Sequence, residues 1–346
     1  MIRIVASTSP YRLGSRFGLC LVGLAGMWLF SAQAARSAEP TDPAAKKSEK
    51  DPLPVKPVVL ETRDGLQMEA DYYPSKKGKD AVPIVMLHGW KGSRADFAKL
   101  ALQLQRDDYP LAAGEVQQRG HAIIVPDLRG HGKSTVIKMG QDSRSIDQSL
   151  MKKSDFDAMV VQDMEAVKRF LIEKNNDKEL NIEKLCVVGA DMGAVVAMNW
   201  AVRDWSAPRL LTGKQGQDVK ALVLISPPMN FRGITVAPAL NTSTLQSDLS
   251  VLVIAGQEKG GKPFADAQAI HKRLGQTRPK PPTDPQVAAE TQDLFFDGLP
   301  TSLQGTKILE DRKLEAQVSF DIGQFIELRL VNKKFPWALR KSVLGE

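Results

Sequence analysis

Short apolar runs alternate along the chain with longer segments in which apolar residues recur every three or four positions. Six runs have the length of strands: residues 84–87, 122–125, 185–188, 221–225, 250–255 and 293–296. Apolar runs of this length are typical of strands buried on both faces. Between them, residues 156–171 carry the clearest helical repeat. This alternation predicts a mostly parallel sheet covered by helices on both faces.

Further elements are predicted at the two ends of this alternating region. Residues 58–61 and 66–73 flank Asp64-Gly65, a dipeptide that favours tight hairpin turns, so two antiparallel strands open the fold. Residues 320–339 are predicted to form a closing helix. The segment 230–248, between two predicted strands, is short, and any lid over a pocket is therefore short or absent.

The amino terminus has the layout of a secretory signal peptide. Arg3, Arg12 and Arg16 precede the uncharged residues 17–35, and Ala32-Gln33-Ala34 offers a small-residue cleavage site. We therefore expect residues 1–34 to be removed and the protein to be exported, to the periplasm or the outside. The alternative is an uncleaved membrane anchor, since the uncharged stretch approaches the roughly 20 residues needed to cross a bilayer.

The residues after the signal peptide divide into a linker and one domain. Residues 35–56 are rich in Ala, Pro, Lys, Glu and Asp and have no hydrophobic periodicity, which predicts a flexible linker. Residues 57–346 are predicted to form a single domain. Loss of the three leader arginines and no acid lowers the formal charge from +7 to +4. Cys186 is then the one remaining cysteine, so no intramolecular disulfide is expected.

Composition argues against several classes of partner. The basic residues are scattered among acids, so no nucleic-acid partner is expected. The four histidines are not spaced as metal ligands, and no metal is expected. No cofactor is expected either, because the glycines around residue 191 lack the spacing of a dinucleotide fingerprint. A small-molecule ligand remains open, and membrane contact is expected only through an uncleaved amino terminus.

Candidate chemistry is concentrated in the sequence CVVGADMGAVV, which begins at Cys186. An apolar strand leads into Gly189-Ala190-Asp191-Met192-Gly193 and then into an apolar helix. Glycines flank the middle residue because a sharp turn from strand to helix leaves no space for side chains. The pattern resembles the nucleophile elbow of the α/β-hydrolase superfamily, with Asp191 at the nucleophile position.

Two further motifs, in the expected order, strengthen this resemblance. LHGWKGS at residues 87–93 follows the first parallel strand, as the oxyanion loop of the superfamily does. VPDLRGHGKS at residues 125–134 is similar to a loop common among lysophospholipase-like and serine-aminopeptidase-like members. The resemblance implies an α/β-hydrolase fold in which the backbone amides of Trp90 and Met192 form the oxyanion hole. It also implies that His88 and His131 shape loops and transfer no proton.

The positions of the other two catalytic residues depart from the family pattern. The acid is expected after the strand at residues 250–255, where Lys259 occupies the place and Glu258 lies one residue short. Glu258 can act as the catalytic acid only if the alignment to the family is shifted by one residue. We favour the interpretation that Glu258 is an exposed loop carboxylate. The histidine is expected in LQGTKIL, where Gln304 stands in its place. No histidine follows residue 271, so no shift of the alignment supplies one.

These departures leave three hypotheses for function. Glutamine does not titrate near neutral pH, so Gln304 cannot act as the general base, and the sequence favours a pseudo-hydrolase with little or no turnover. Asp191 is then a residue that tolerates positive φ and caps a helix. The alternative is an active hydrolase of esters, epoxides or carbon–halogen bonds that uses Asp191 as nucleophile, with Glu258 or another group. A purely structural or interaction module is the third.

Overall fold

The computed structural model describes residues 52–106, 108–110, 116–208, 213–258 and 260–340. The predicted signal peptide and most of the predicted linker lie outside this part of the chain. Within it, no helix is long and apolar enough to cross a membrane.

One eight-stranded sheet forms the centre of the molecule. Its strands are β1 (Lys56–Glu61), β2 (Gln67–Tyr73), β3 (Pro83–Leu87), β4 (Ala122–Pro126), β5 (Leu185–Ala190), β6 (Val219–Ile225), β7 (Ser250–Gly256) and β8 (Leu294–Leu299). They lie in the order β1-β2-β4-β3-β5-β6-β7-β8. Strand β2 is antiparallel to β1 and β4, and the other neighbours are parallel. The carboxyl ends of β3 to β8 therefore meet at one edge, where ligands of such sheets bind.

Helices cover both faces of the sheet, as the sequence predicts. They are α1 (Ala98–Gln105), α2 (Lys153–Ala158), α3 (Met164–Asn176), α4 (Met192–Trp205), α5 (Lys262–Gly275), α6 (Pro285–Thr291) and α7 (Glu315–Ile326). Helices α1 and α7 pack on one face, and α2 to α5 pack on the other. Alternate residues of β5 feed the two cores: Val187 joins the α4 side and Val188 the α1 side. The predicted fold class is confirmed.

The predicted helix at 156–171 is interrupted by a π-helical turn. Met159–Asp163 adopts this turn between α2 and α3. It places Asp163, fully buried, beside Arg129, whose Nε lies 3.0 Å from Asp163 Oδ1. The turn thus fits a buried ion pair that apolar periodicity does not reveal.

The predicted closing helix at 320–339 is wrong in its bounds. Helix α7 begins earlier, continues through a π-helical turn at Glu327–Val331, and ends before the chain becomes irregular. Pro336 disfavours helical geometry in the residue before it. In addition, Asn181 donates to the Phe335 carbonyl at 2.8 Å and Asn175 to the Ala338 carbonyl at 2.9 Å. These carbonyls bond to the body of the domain instead of to a helix.

Two other predicted boundaries also differ. Strand β1 begins at Lys56, and Gln105 Nε2 donates to the Leu53 carbonyl at 2.9 Å, so the last linker residues are part of the domain. The first two strands are joined by five residues and not by a tight turn, since Glu61 pairs with Gln67. The predicted short lid corresponds to a two-residue hairpin, Asn230–Phe231 with Ile234–Thr235, followed by short helical turns.

Candidate active site

Asp191 lies at the sharp turn between β5 and α4. Its φ of 47° and ψ of −115° are unusual for a residue with a side chain. Its backbone N–H donates to the Ile225 carbonyl at 3.0 Å, which attaches the turn to the end of β6. A Cβ at Gly189 would lie 2.5 Å from the Gly193 carbonyl oxygen, and one at Gly193 would overlap the Leu87 carbonyl. Close backbone packing therefore requires both glycines, as the elbow motif predicts.

Glycines also line the space around the Asp191 carboxylate. An ideal Cβ at Gly89 would lie 2.8 Å from Asp191 Oδ2, and one at Gly305 would overlap the same oxygen. Gly305 has a φ of 60°, which a residue with a side chain seldom adopts. The oxyanion loop and the segment after β8 thus meet at Asp191. This is the arrangement expected from the elbow, from LHGWKGS and from LQGTKIL.

The Asp191 carboxylate is partly buried and accepts no hydrogen bond from the described residues. Burial raises its pKa from 3.8 to about 6, and the positive charge of Lys307 partly opposes this shift. The side chain does not cap helix α4. The capping role that the sequence suggested for this carboxylate is therefore wrong.

Two backbone amides come directly after residues that line this space, Gly89 and Asp191. In the part of the chain that the structure describes, the N–H groups of Trp90 and Met192 donate to no protein acceptor. Trp90 follows Gly89, and Met192 is the first residue of α4. We call these two N–H groups the amide pair; they are the donors that the resemblance assigns to an oxyanion hole.

Gln304 lies next to Gly305 at the Asp191 site, but its side-chain amide is hydrogen-bonded to Ser226 and Gly256. Gln304 Nε2 donates to the Gly256 carbonyl at 2.8 Å, and Gln304 Oε1 accepts from Ser226 Oγ at 2.7 Å. Ser226 Oγ also accepts from the Gly305 N–H at 2.9 Å. Both ends of the Gln304 amide are therefore occupied by neighbours other than Asp191.

Glu258 does not take part in this arrangement. It is exposed, and its backbone N–H donates to the Thr301 carbonyl at 3.0 Å. Its carboxylate accepts no hydrogen bond from any described residue. The structure therefore places Glu258 as the exposed loop carboxylate that the sequence analysis favours.

His88 and His131, which lie in LHGWKGS and VPDLRGHGKS, hydrogen-bond to the backbone of their own loops. His88 Nδ1 donates to the Gly89 carbonyl at 2.8 Å, and its Nε2 accepts from the Leu128 N–H at 3.0 Å. His131 Nδ1 donates to the Arg129 carbonyl at 2.9 Å. Burial lowers the pKa of both rings, that of His131 to about 4. Neutral rings in these positions fix the loops beside Asp191.

Several residues at the site carry no motif that sequence analysis detects. Ser226 follows β6 with a φ of 49° and orients Gln304. The hairpin after β6 places Phe231 against the Trp90 ring, with centroids 5.8 Å apart. Arg232 lies over that ring, with Cζ 4.2 Å from the centroid. The Ser-Pro-Pro sequence at residues 226–228 is a weak signal for the end of a strand, and nothing in the sequence signals the contacts of the hairpin.

Among the residues that the structure describes, no group of three or more His, Cys, Asp or Glu side chains is arranged to hold a metal ion. Cys186 lies buried on β5, where burial raises the pKa of its thiol.

Comparison with known proteins fits this geometry. A family model described as alpha/beta hydrolase fold matches residues 82–278, more than half of the chain. The chain belongs to the α/β hydrolase fold family. The match spans both the oxyanion loop and the Asp191 elbow. No curated protein matches the chain in sequence.

Solved structures with the same fold include several esterases. An esterase of Pyrococcus furiosus matches with a TM-score of 0.53 and 15% identity over 80% of this chain and 92% of its own. An esterase of Pyrobaculum calidifontis gives 0.52 and 14% over 80% and 86%. A thermostable carboxylesterase cloned from a metagenomic library gives 0.52 and 12% over 83% and 92%. At these identities the likeness concerns the fold.

Proposed function

We propose that this member of the α/β hydrolase fold family binds a small molecule at the Asp191 site without hydrolysing it. The hydrogen bonds of Gln304 carry the proposal, because its amide is bound to Ser226 and Gly256 and cannot exchange a proton with Asp191. Glu258, the other candidate, is exposed and makes no contact with that amide. Losing general-base catalysis costs a factor of about 10² to 10⁴.

The hydrogen-bonding groups around Asp191 support a role of this site in ligand binding. The Asp191 carboxylate is only partly buried, and neither it nor the amide pair has a hydrogen-bond partner among the described residues, so these groups are open to a ligand. A ligand that donates to the carboxylate or accepts from the amides would provide these partners.

The test is hydrolysis by the purified mature protein of an activated ester, an epoxide and a haloalkane, with Asp191→Asn as control. We expect no multiple turnover and no difference between the two proteins. Sustained turnover that disappears in Asp191→Asn would overturn the proposal.

A second candidate function is supported by the Asp191 carboxylate, which accepts no hydrogen bond from the residues that the structure describes. In this alternative a carboxylate oxygen attacks a saturated carbon, forms an ester and expels halide or opens an epoxide. Cleavage of that ester by water needs a base, and Gln304 cannot supply one. Mass spectrometry after incubation with a reactive haloalkane therefore distinguishes the candidates: a stable adduct on Asp191 supports the nucleophile, and an unmodified protein supports binding alone.

A further inference from the structure

A cavity of about 250 Å³ lies between α1 and α7, on the face of the sheet that these two helices cover. Its apolar wall includes Leu100, on α1, and Leu309, in the turn Gly305–Glu310 that follows β8. Both of these side chains are buried. Neither Asp191 nor Gln304 lines the cavity, so it is distinct from the candidate active site. We call this space the α1–α7 cavity.

Carboxylates outnumber cations on the polar wall of the α1–α7 cavity. Asp96, Glu310 and Glu315 line it, and Lys99 is the one cation among the described residues that do so. Lys99 forms an ion pair with Glu315, which neutralises that carboxylate. Helices α1 and α7 begin beside the cavity, and each N-terminus contributes a positive charge of about 0.5. Negative charge remains in excess, so the cavity favours a cation.

Gln103 adds an acceptor to the same wall. Its Nε2 donates to Glu315 Oε1 at 2.7 Å. This bond fixes the orientation of the amide, because the opposite orientation would place Oε1 against a carboxylate. Gln103 Oε1 is then buried and accepts no hydrogen bond in the part of the chain that the structure describes. Buried polar groups are usually hydrogen-bonded, so a ligand that carries N–H donors fits this wall better than one that carries acceptors.

The Asp96 carboxylate has only weak hydrogen bonds. Asp96 Oδ2 accepts from the Ser93 N–H and from Thr306 Oγ1, both at 3.4 Å. Hydrogen bonds between an ionised donor and a carboxylate are shorter, at about 2.7–2.9 Å, and stronger. An ammonium group would therefore be a better partner for this carboxylate than the two donors that it has among the described residues.

We propose that the α1–α7 cavity binds a small organic cation, a primary amine with a short alkyl chain. The ammonium group donates to the acceptors of the polar wall, and the alkyl chain packs against Leu100 and Leu309. The volume corresponds to about eight water molecules, which is enough for a ligand of this size. The acidic side chains of the described residues are not arranged to hold a metal ion, whereas an ammonium group is a point charge with three rotatable donors. The inference does not depend on the proposed function, since it concerns a different site.

The test is a titration of the purified protein with butylammonium, 1-butanol and butyrate, followed by the backbone amide resonances of Ala95 and Leu309, which line the cavity. We expect butylammonium to shift both resonances and 1-butanol to bind at least about threefold more weakly, the effect of losing one partly exposed charge interaction. Butyrate should shift neither resonance. Equal binding of butylammonium and 1-butanol, a shift with butyrate, or no shift with butylammonium would each overturn the inference.

Variants that change the charge of the wall should move the affinity in opposite directions. Glu310→Gln should weaken butylammonium binding about threefold, and Lys99→Gln should strengthen it about threefold because it frees the Glu315 carboxylate. Asp142→Asn is the matched control for the loss of one negative charge, since this exposed carboxylate on the strand Asp142–Ser145 does not line the cavity. Equal effects of Glu310→Gln and Asp142→Asn, or weaker binding by Lys99→Gln, would contradict the proposal.

The Asp191 carboxylate is the competing site for an amine. The turn Gly305–Glu310 borders both places, because Gly305 packs against Asp191 and Leu309 lines the cavity. Asp191→Asn should leave the affinity for butylammonium unchanged. If the affinity fell in Asp191→Asn and not in Glu310→Gln, the amine would occupy the Asp191 site and the inference would be wrong. The hydrolysis assay is separate, because its outcome decides only the proposed function.

Discussion

Asp191 combines a strained backbone with a carboxylate that accepts no hydrogen bond from any described residue. In a serine hydrolase this turn presents a nucleophile to a histidine, whereas here the residue of the segment after β8 that reaches the site is Gln304, which accepts a hydrogen bond from Ser226. The elbow geometry is therefore present, and under the proposed function no proton acceptor faces it. The energetic consequence is that Asp191 costs stability in its charged form, because burial disfavours the charge and no described residue donates to it.

Asp191→Asn should therefore stabilise the protein at neutral pH. The folded-state pKa of about 6 exceeds the ordinary 3.8, so the folded state binds more protons than the unfolded state between these values. Stability of the unsubstituted protein falls as pH rises through this window. At about pH 7.5 the variant should be more stable by about 2 kcal/mol, a figure reduced for partial exposure, and below about pH 4 the two should be equal.

Urea denaturation at both pH values measures this difference. Glu258→Gln is the matched control, because Glu258 is an exposed carboxylate and its removal should leave stability unchanged. If the Asp191→Asn advantage persisted at low pH, its cause would lie in packing and not in the charge.

Ser226 is the residue that orients Gln304, and Ser226→Ala should destabilise the domain. The substitution leaves Gln304 Oε1 and the Gly305 N–H without their shared hydroxyl. Buried groups deprived of partners cost about 1–3 kcal/mol. Chemical denaturation measures the loss, and Ser302→Ala, at an exposed position nearby, should have no effect. A neutral Ser226→Ala would show that water replaces the hydroxyl.

At the scale of elements, the sequence predicts strands better than it predicts boundaries set by long-range bonds. Five of the six apolar runs lie within strands, and the sixth overlaps β8 from Leu294 onwards, because burial on both faces leaves a continuous apolar signature. The π-helical turn at Met159–Asp163 was not predictable, since it depends on Arg129, thirty-four positions away from Asp163. The irregular chain after the last helix bonds to Asn175, near the end of α3, and to Asn181, in the segment that follows α3.

The contact between the segment after β8 and the elbow gives a prediction at this scale. Gly305→Ala should destabilise the domain for two reasons: a φ of 60° costs about 1 kcal/mol for a residue with a Cβ, and that Cβ overlaps Asp191 Oδ2. Asp191→Ala removes the overlapping oxygen. In the Asp191→Ala variant, Gly305→Ala should lower the free energy of unfolding only by the cost of its positive φ.

A double-mutant cycle by urea denaturation measures the coupling between the two substitutions. The double variant should be more stable, by at least about 1 kcal/mol, than the sum of the two single effects predicts. The matched cycle with Gly233→Ala, whose φ is 93° and whose Cβ would meet only Lys153 carbons at 3.4–3.5 Å, should show no coupling to Asp191. Additivity at Gly305 would mean that the two segments do not touch in solution.

For the molecule as a whole, the sequence predicts which segments form the site, and only the structure shows which of their residues are in contact. The elbow, the oxyanion loop and Gln304 are each recognisable from local motifs, and they converge on one edge of the sheet. Ser226 and Arg232 are missed because their roles arise from side chains that meet across the fold. Local pattern specifies where the chain turns, and tertiary packing specifies which polar group faces which.

Export is a further whole-molecule prediction. We propose that residues 1–34 are removed, because Arg3, Arg12 and Arg16 precede an uncharged stretch that ends in a small-residue cleavage site. In a bacterial host, N-terminal sequencing of the protein should then find Ala35 as the first residue. Recovery from membranes of a chain beginning at Met1 would instead indicate an anchor.

The last prediction tests whether the scaffold supports catalysis by serine and histidine side chains at positions 191 and 304. Asp191→Ser alone should not hydrolyse an activated ester, because a serine hydroxyl needs an adjacent base. Asp191→Ser combined with Gln304→His should raise turnover at least about tenfold over the single variant, within the 10² to 10⁴ that a well-placed base contributes. Adding Ser226→Asp should raise it again, since Ser226 Oγ lies 2.7 Å from the Gln304 side chain, where a carboxylate would orient the new histidine. Ser302→Asp in place of Ser226→Asp is the control and should add nothing, because residue 302 is exposed. If the combined variants stayed inactive while remaining folded by circular dichroism, the residues at positions 191, 226 and 304 would not be what limits ester hydrolysis by this scaffold.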